Sequence, residues 1–228
     1  MSDRDSRLQR VSREAPSRRI EVAPERIVLW VNGFSERHGA VTWSSLEVSV
    51  ALTAADGAIA VLEPFAPGAP ILPAVVDELA QWAEAPTRLA LILVRRGGYA
   101  VGLGQGAELI AHKVGTRYVQ SRTAAGGWSQ QRFARRRHNQ ADALVGSVIA
   151  HTMRIVLASP SDALVVGGDK ALIRDVLVDV RLAGLAGLPR RELFDCPDPK
   201  LAVLEQALRR GRAVRINLTE PVTSLVKS

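Results

Sequence analysis

A chain of 228 residues, 47% of them hydrophobic, is long enough to bury one core, and it predicts a single globular unit with short tails. Thirty Lys and Arg against 23 Asp and Glu leave a net charge of +7, which favours a polyanionic partner over an acidic metabolite. Cys196 is the single cysteine, which excludes a disulfide framework and a cysteine-built zinc site; without an export signal or a long apolar run, a cytoplasmic protein with no membrane span is expected.

Residues 1–20 carry arginines at 4, 7, 10, 13, 18 and 19 with almost no large apolar side chains, so ordering entropy is not offset and a disordered basic tail is expected. From residue 21 to 218 the text is that of a folded domain, and 219–228 reads as a second tail. Residues 26–34 (RIVLWVNGF), 45–52 (SLEVSVAL) and 58–65 (AIAVLEPF) are β-branched-rich runs separated by His38-Gly39 and Asp56-Gly57, and they predict three strands. After Pro70, Ile71, Val75, Leu79 and Trp82 share one helical face, and Pro86 stops that helix. Three further strand-like runs follow (RLALILVRR, GYAVGLG and AELIAHKVGTRYVQ), joined by glycine turns into an antiparallel meander. A stretch without periodicity, residues 121–129, leads into a long helix from about Gln130 to Leu157 with Leu144, Val148 and Val156 on its apolar stripe. The C-terminal third reads strand (ALVVGG), helix (170–182), turn, helix (200–210) and strand (AVRINL). That order predicts an α/β layer fold with a mixed sheet.

Between Leu109 and Ala141 there is no Asp or Glu, yet there are seven cations: Lys113, Arg117, Arg122, Arg132, Arg135, Arg136 and Arg137. Four of these lie near the start of the long helix, where the macrodipole already presents about half a positive charge. Soluble faces interleave both signs, so this segment reads as a nucleic-acid contact. Just before the helix, residues 120–131 combine small side chains, the diglycine Gly126-Gly127, Trp128, Ser129 and two amides, Gln130 and Gln131. Glycine permits positive φ and a close approach of the backbone. A glutamine amide both donates and accepts, so it can orient water at an ester carbonyl without placing negative charge among phosphates. Ser129 is suited to cap the helix, and Trp128 either stacks on a base or anchors the loop.

Other chemistries lack their residues. A metal-dependent nuclease needs clustered carboxylates, and this segment has none. No G-x-S-x-G elbow occurs, and the spacing of His38, His112, His138 and His151 fits no metal site. The glycines of 102–106 fit a hairpin better than a dinucleotide loop. Residues 167–170, Gly-Gly-Asp-Lys, fit a strand-to-helix turn capped by Asp169, with a phosphate site as the alternative.

The run from His112 and Lys113 to Arg117 and Tyr118, followed by Gly126-Gly127-Trp128-Ser129-Gln130, resembles the Vms-type release-factor-like peptidyl-tRNA hydrolases, whose catalytic domain is similar to the middle domain of archaeal and eukaryotic class-1 release factors. The resemblance implies an RNase H-like α/β fold with a flexible Gly-Gly loop before a long helix. It also implies hydrolysis of the ester between nascent peptide and tRNA in ribosome rescue or quality control; from the residues themselves, no cofactor and no metal are expected. The implied partners are the large ribosomal subunit, rRNA and peptidyl-tRNA, met by a monomer. Gln130 is then the catalytic glutamine, Gly126 and Gly127 shape its loop, and His112 and Arg117 support the loop or contact RNA. Trp128 departs from the family's Gly-Gly-Ser-Gln, so either Gln130 or Gln131 holds the reactive position; Gln130 keeps the Ser-Gln adjacency. A non-catalytic ribosome- or RNA-binding protein of the same fold is the competing reading.

Overall fold

The structure is a computed structural model that describes residues 17–46, 49–65, 76–116 and 129–221, with the backbone alone at 76, 77, 129–134 and 136–138. In chain order its elements are β1 (Ser17–Val22), α1 (Ile27–His38), β2 (Val41–Leu46), β3 (Ser49–Ala54), β4 (Ile59–Glu63), α2 (Val76–Trp82), β5 (Arg88–Arg95), β6 (Gly98–Gln105) and β7 (Glu108–Thr116). There follow α3 (Ser129–Ile155), β8 (Ala163–Gly168), α4 (Lys170–Leu177), a 3-10 turn (Val180–Leu185), β9 (Arg190–Leu193), α5 (Leu201–Arg212) and β10 (Val214–Thr219). Where the sequence predicts one unit, contacts group the chain into two: residues 1–85 with 212–228, and residues 86–211.

Several expectations are corrected. Of residues 26–34, expected as a strand, Arg26 ends a 3-10 turn (Pro24–Arg26) and 27–34 belong to α1. Their β-branched side chains suit a strand locally, but Ile27, Val31, Phe34 and His38 recur at helical spacing and are all buried, so packing along a 3.6-residue period overrides local preference. Residues 45–52 are not one strand: 45–46 end β2 and 49–52 begin β3, its antiparallel partner, and the sequence between them carries neither Gly nor Pro to announce a break. Residues 17–20, expected in the basic tail, belong to β1, which pairs with β10, while residues 1–16 lie outside the described residues. The helix expected over 170–182 stops at Leu177, and Asp179 then caps the 3-10 turn through the Arg181 amide. Strand β9 was expected to be turn; Leu193 is its single apolar residue.

The first unit holds an all-antiparallel sheet in the order β1-β10-β4-β3-β2. Its core sets Val31 and Phe34 of α1 and Leu79 and Trp82 of α2 against Leu52, Leu62 and Ile216 of the sheet. His38, buried at the end of α1, lies 2.8 Å from Asp56 through Nδ1. The Ala58 amide, and after it His38, hold the Asp56 carboxyl below the usual range.

The second unit holds a mixed sheet in the order β7-β6-β5-β8-β9, antiparallel across β5, β6 and β7 and parallel across β5, β8 and β9. A three-stranded meander continued by two parallel strands beside its first strand is the RNase H-like order. Residues 89–94 of β5 are all buried, as a central strand covered on both faces requires. One face carries α3 and α4, which pack Leu144, Val148 and Ile173 on Ile92, Val101 and Val166. The other carries α5, whose Leu204 and Leu208 press on Gly102 and Gly104; a Cβ at Gly104 would meet Leu208 Cδ1 at 2.4 Å. These glycines therefore serve close helix-to-sheet packing, and β6 and β7 form the hairpin expected there. Buried Arg191 donates to the carbonyls of Arg210 and Gly211 at the end of α5, where the helix dipole favours a cation.

Asp179 makes two bonds to the Arg181 side chain at 2.8 Å, and these, with the Arg181 amide, lower its pKa from 3.8 to about 2. A depressed folded-state pKa contributes stability that is present above the unfolded value near 3.9 and is lost as pH falls through about 2. Following the Asp179 carboxyl by NMR should give a midpoint near 2, and Arg181→Ala should return it toward the ordinary value. An unshifted midpoint in the wild type would contradict the paired geometry.

Candidate functional site

The residues singled out by the sequence run from β7, through the segment between β7 and α3, into the first turns of α3. Thr116 is the last described residue of β7 and Ser129 the first of α3, so Arg117, Arg122, Gly126, Gly127 and Trp128 lie outside the described residues. Gln130, placed by the sequence where the loop meets the long helix, lies with Gln131 in the first turn of α3, followed by Arg132, Arg135, Arg136 and Arg137. Ser129 is already helical instead of standing ahead of the helix as its cap.

Helix α3 has 27 residues, about 40 Å in length. Ala141 is its first residue packed on the core among the described side chains, ahead of Leu144, Val148 and Ile149. The glutamines and the four arginines lie in the stretch of α3, roughly 18 Å long, that comes ahead of Ala141. The first four amides of any helix lack partners within it, and the dipole adds positive potential there. Arg135 is exposed.

On β7, His112 pairs with Gly102 and Lys113 with Val101. Neighbouring strand residues point to opposite faces. Lys113 therefore shares the α3 face with Val101, while His112 shares the α5 face with Gly102. Both are exposed, and the structure does not bring them together.

Lys113 instead joins a group the sequence analysis missed. The His151 ring stacks on Tyr99 at 5.5 Å, and Arg154 donates to its Nδ1 at 3.1 Å. Burial, then the charges of Arg154 and Lys113, lower the His151 pKa, which leaves the ring neutral at pH 7 and the surrounding charge positive. The helical spacing of His151 and Arg154 was legible, but their approach to β6 and β7 depends on the sheet. Buried Cys196 has its thiol pushed up by desolvation, which makes it a poor nucleophile. Among the described residues no three His, Cys, Asp or Glu side chains converge as a metal site.

The model of the Actinobacteria/chloroflexi VLRF1 release factor family matches residues 87–217, more than half of the chain. The chain belongs to this family. The VLRF1 match runs from the start of β5 into β10 and contains the whole acid-free cationic stretch, and it makes this a release-factor-like protein of translation. No curated protein sequence matches the chain. Among solved structures, this VLRF1 family member is similar to a Vms1 mitochondrial localization core, at 12% identity over 73% of this chain and 75% of that one, with a TM-score of 0.46. The archaeal termination factor aRF1 matches at 12% identity over 92% and 70%, with a TM-score of 0.36. Pelota of Archaeoglobus fulgidus matches at 11% over 86% and 62%, with a TM-score of 0.33. No helix among the described residues is long and apolar enough to cross a membrane.

Proposed function

We propose that the protein is a cytoplasmic peptidyl-tRNA hydrolase that works as a monomer on the large ribosomal subunit and frees nascent peptide during ribosome rescue. The observation that carries this reading is that the family match, 87–217, encloses Gly126-Gly127, Gln130 and seven cations uninterrupted by any acid. Water adds to the ester carbonyl, the acyl-oxygen bond breaks, and the products are a peptide acid and a tRNA with its ribose hydroxyl restored. Gln130 orients the water, Gly126 and Gly127 let the backbone close on the ester, and nearby N–H groups face the developing oxyanion. Ser129 and Gln131 flank the reactive amide, and Trp128 stacks on RNA. Lys113, Arg117, Arg122, Arg132, Arg135, Arg136 and Arg137 hold phosphates, and His112 supports the strand that leads to the loop.

The test is release of labelled peptide from peptidyl-tRNA on isolated large subunits, measured beside subunit binding. Release above background supports the reading; tight binding without release would hand the case to a non-catalytic RNA-binding protein. Binding should weaken steeply with salt. Replacing Arg135, Arg136 and Arg137 together by alanine should reduce the slope of log affinity against log salt by roughly 2 to 3, one phosphate contact per arginine. An unchanged slope would remove these residues from the interface.

A further inference from the structure

At the carboxyl ends of the adjacent parallel strands β5 and β8, the second unit opens a cavity of about 490 Å³. The chain leaves β5 toward β6 and leaves β8 toward β9, on opposite sides of this pair. Diverging connections of that kind leave the crevice in which open α/β sheets bind ligands. Three cationic side chains line the cavity from two segments: the neighbours Arg95, at the end of β5, and Arg96, in the β5–β6 turn, and Lys170 from the first turn of α4.

Two carboxylates share the space, and both are committed. Asp169 accepts from the amides of Ala171 and Leu172, so the helix end is already capped and the side chains, not the dipole, define the site. Asp198 lies 3.3 Å from Arg95, which also donates to the Cys196 carbonyl at 2.7 Å and is thereby fixed as wall. Arg96, 61% exposed, stands 3.9 Å from Asp169, beyond a hydrogen bond. The Lys170 ammonium lies over the Phe194 ring at 4.9 Å. These two cations can turn to an incoming anion without breaking the cap or the Arg95 pair.

We propose that this cavity binds the phosphate of a nucleotide, gripped by Arg96 and Lys170 against the fixed Arg95. Its volume suits a nucleotide-sized ligand better than a bare ion, since small-molecule sites span about 300–1,000 Å³. A free nucleotide and a phosphodiester of RNA offer the same chemistry. The site uses none of the glutamine-loop residues, so it stands or falls separately from the hydrolytic reading.

The isotope-labelled full chain should be titrated by NMR with inorganic phosphate, adenosine monophosphate and a short single-stranded RNA. The amide signals of Gly97, Gly168 and Lys170 should move with a nucleotide probe. Arg96→Ala and Lys170→Ala should each weaken that binding about tenfold, the loss of one charge-assisted contact. Arg96 is solvent-facing, so its variant carries the test if Lys170→Ala does not fold. Equal response to the monophosphate and the RNA identifies a free nucleotide; response to RNA where the monophosphate gives none identifies the RNA backbone. The proposal is overturned if no probe moves these signals, if both variants bind as wild type does, or if inorganic phosphate alone matches the nucleotides.

Discussion

Replacing Gln130 by alanine should lower peptide release by about a hundredfold or more while leaving the fold and subunit binding intact, because one group that orients water or completes an oxyanion site is worth roughly that much. The separation of effects rests on where the residue sits. Gln130 lies in the first turn of α3, and alanine is at least as good a helix former as glutamine, so the substitution does not weaken the element that carries it. Its charge is also unchanged, so the phosphate contacts proposed for the neighbouring arginines should persist. Gln130→Glu is the sharper variant: an acid near a helix N-terminus is well tolerated by the fold, yet it places negative charge beside RNA and loses the amide donor. Gln131→Ala should release peptide within a few-fold of wild type. The opposite ranking would move the catalytic role to Gln131, and equal release by wild type and both alanine variants would end the glutamine mechanism.

The largest effect on stability is expected at Gly168. This residue closes β8 with φ of +98°, a conformation that costs a residue with a Cβ roughly 1–2 kcal/mol. An added Cβ would also stand 2.1 Å from the Val94 carbonyl oxygen. That oxygen cannot withdraw easily, since it accepts the Asp169 amide at 2.7 Å and β5 is paired with β8 at this point. Gly168→Ala should therefore destabilise the protein by about 3–5 kcal/mol, a large part of the 5–15 kcal/mol typical of a folded protein. Gly184→Ala is the control, because its Cβ would meet nothing within 4 Å. Urea unfolding of both variants checks this, and a Gly168 variant within about 1 kcal/mol of wild type would contradict the described turn.

What the sequence made legible follows from how local each signal is. The buried run of β5, the glycine turns around β6 and the 3.6-residue stripe of α3 are written in neighbouring residues, so the mixed sheet and its long helix could be anticipated. The acid-free cationic stretch is equally local. Helix α1 was hidden because its β-branched residues speak for a strand until the buried positions Ile27, Val31 and Phe34 are seen together. Strand β9 was hidden because Arg191, a charged residue, is one of its two buried positions and finds partners nineteen and twenty residues away. The Tyr99–His151 stack joins residues 52 positions apart in sequence and could not be inferred before the sheet was known.

The place of β10 bears on how the molecule is made. Among the described residues β1 has β10 as its one strand neighbour, and β10 also bridges to β4, yet β10 follows the whole of 86–211 in the chain. A polypeptide emerging from its own ribosome therefore completes the stretch 86–211 as an uninterrupted guest while the host sheet still lacks an interior strand. Until the chain beyond residue 211 has been made, the facing edges of β1 and β4 have nothing to close on, so that sheet is completed after the stretch it encloses.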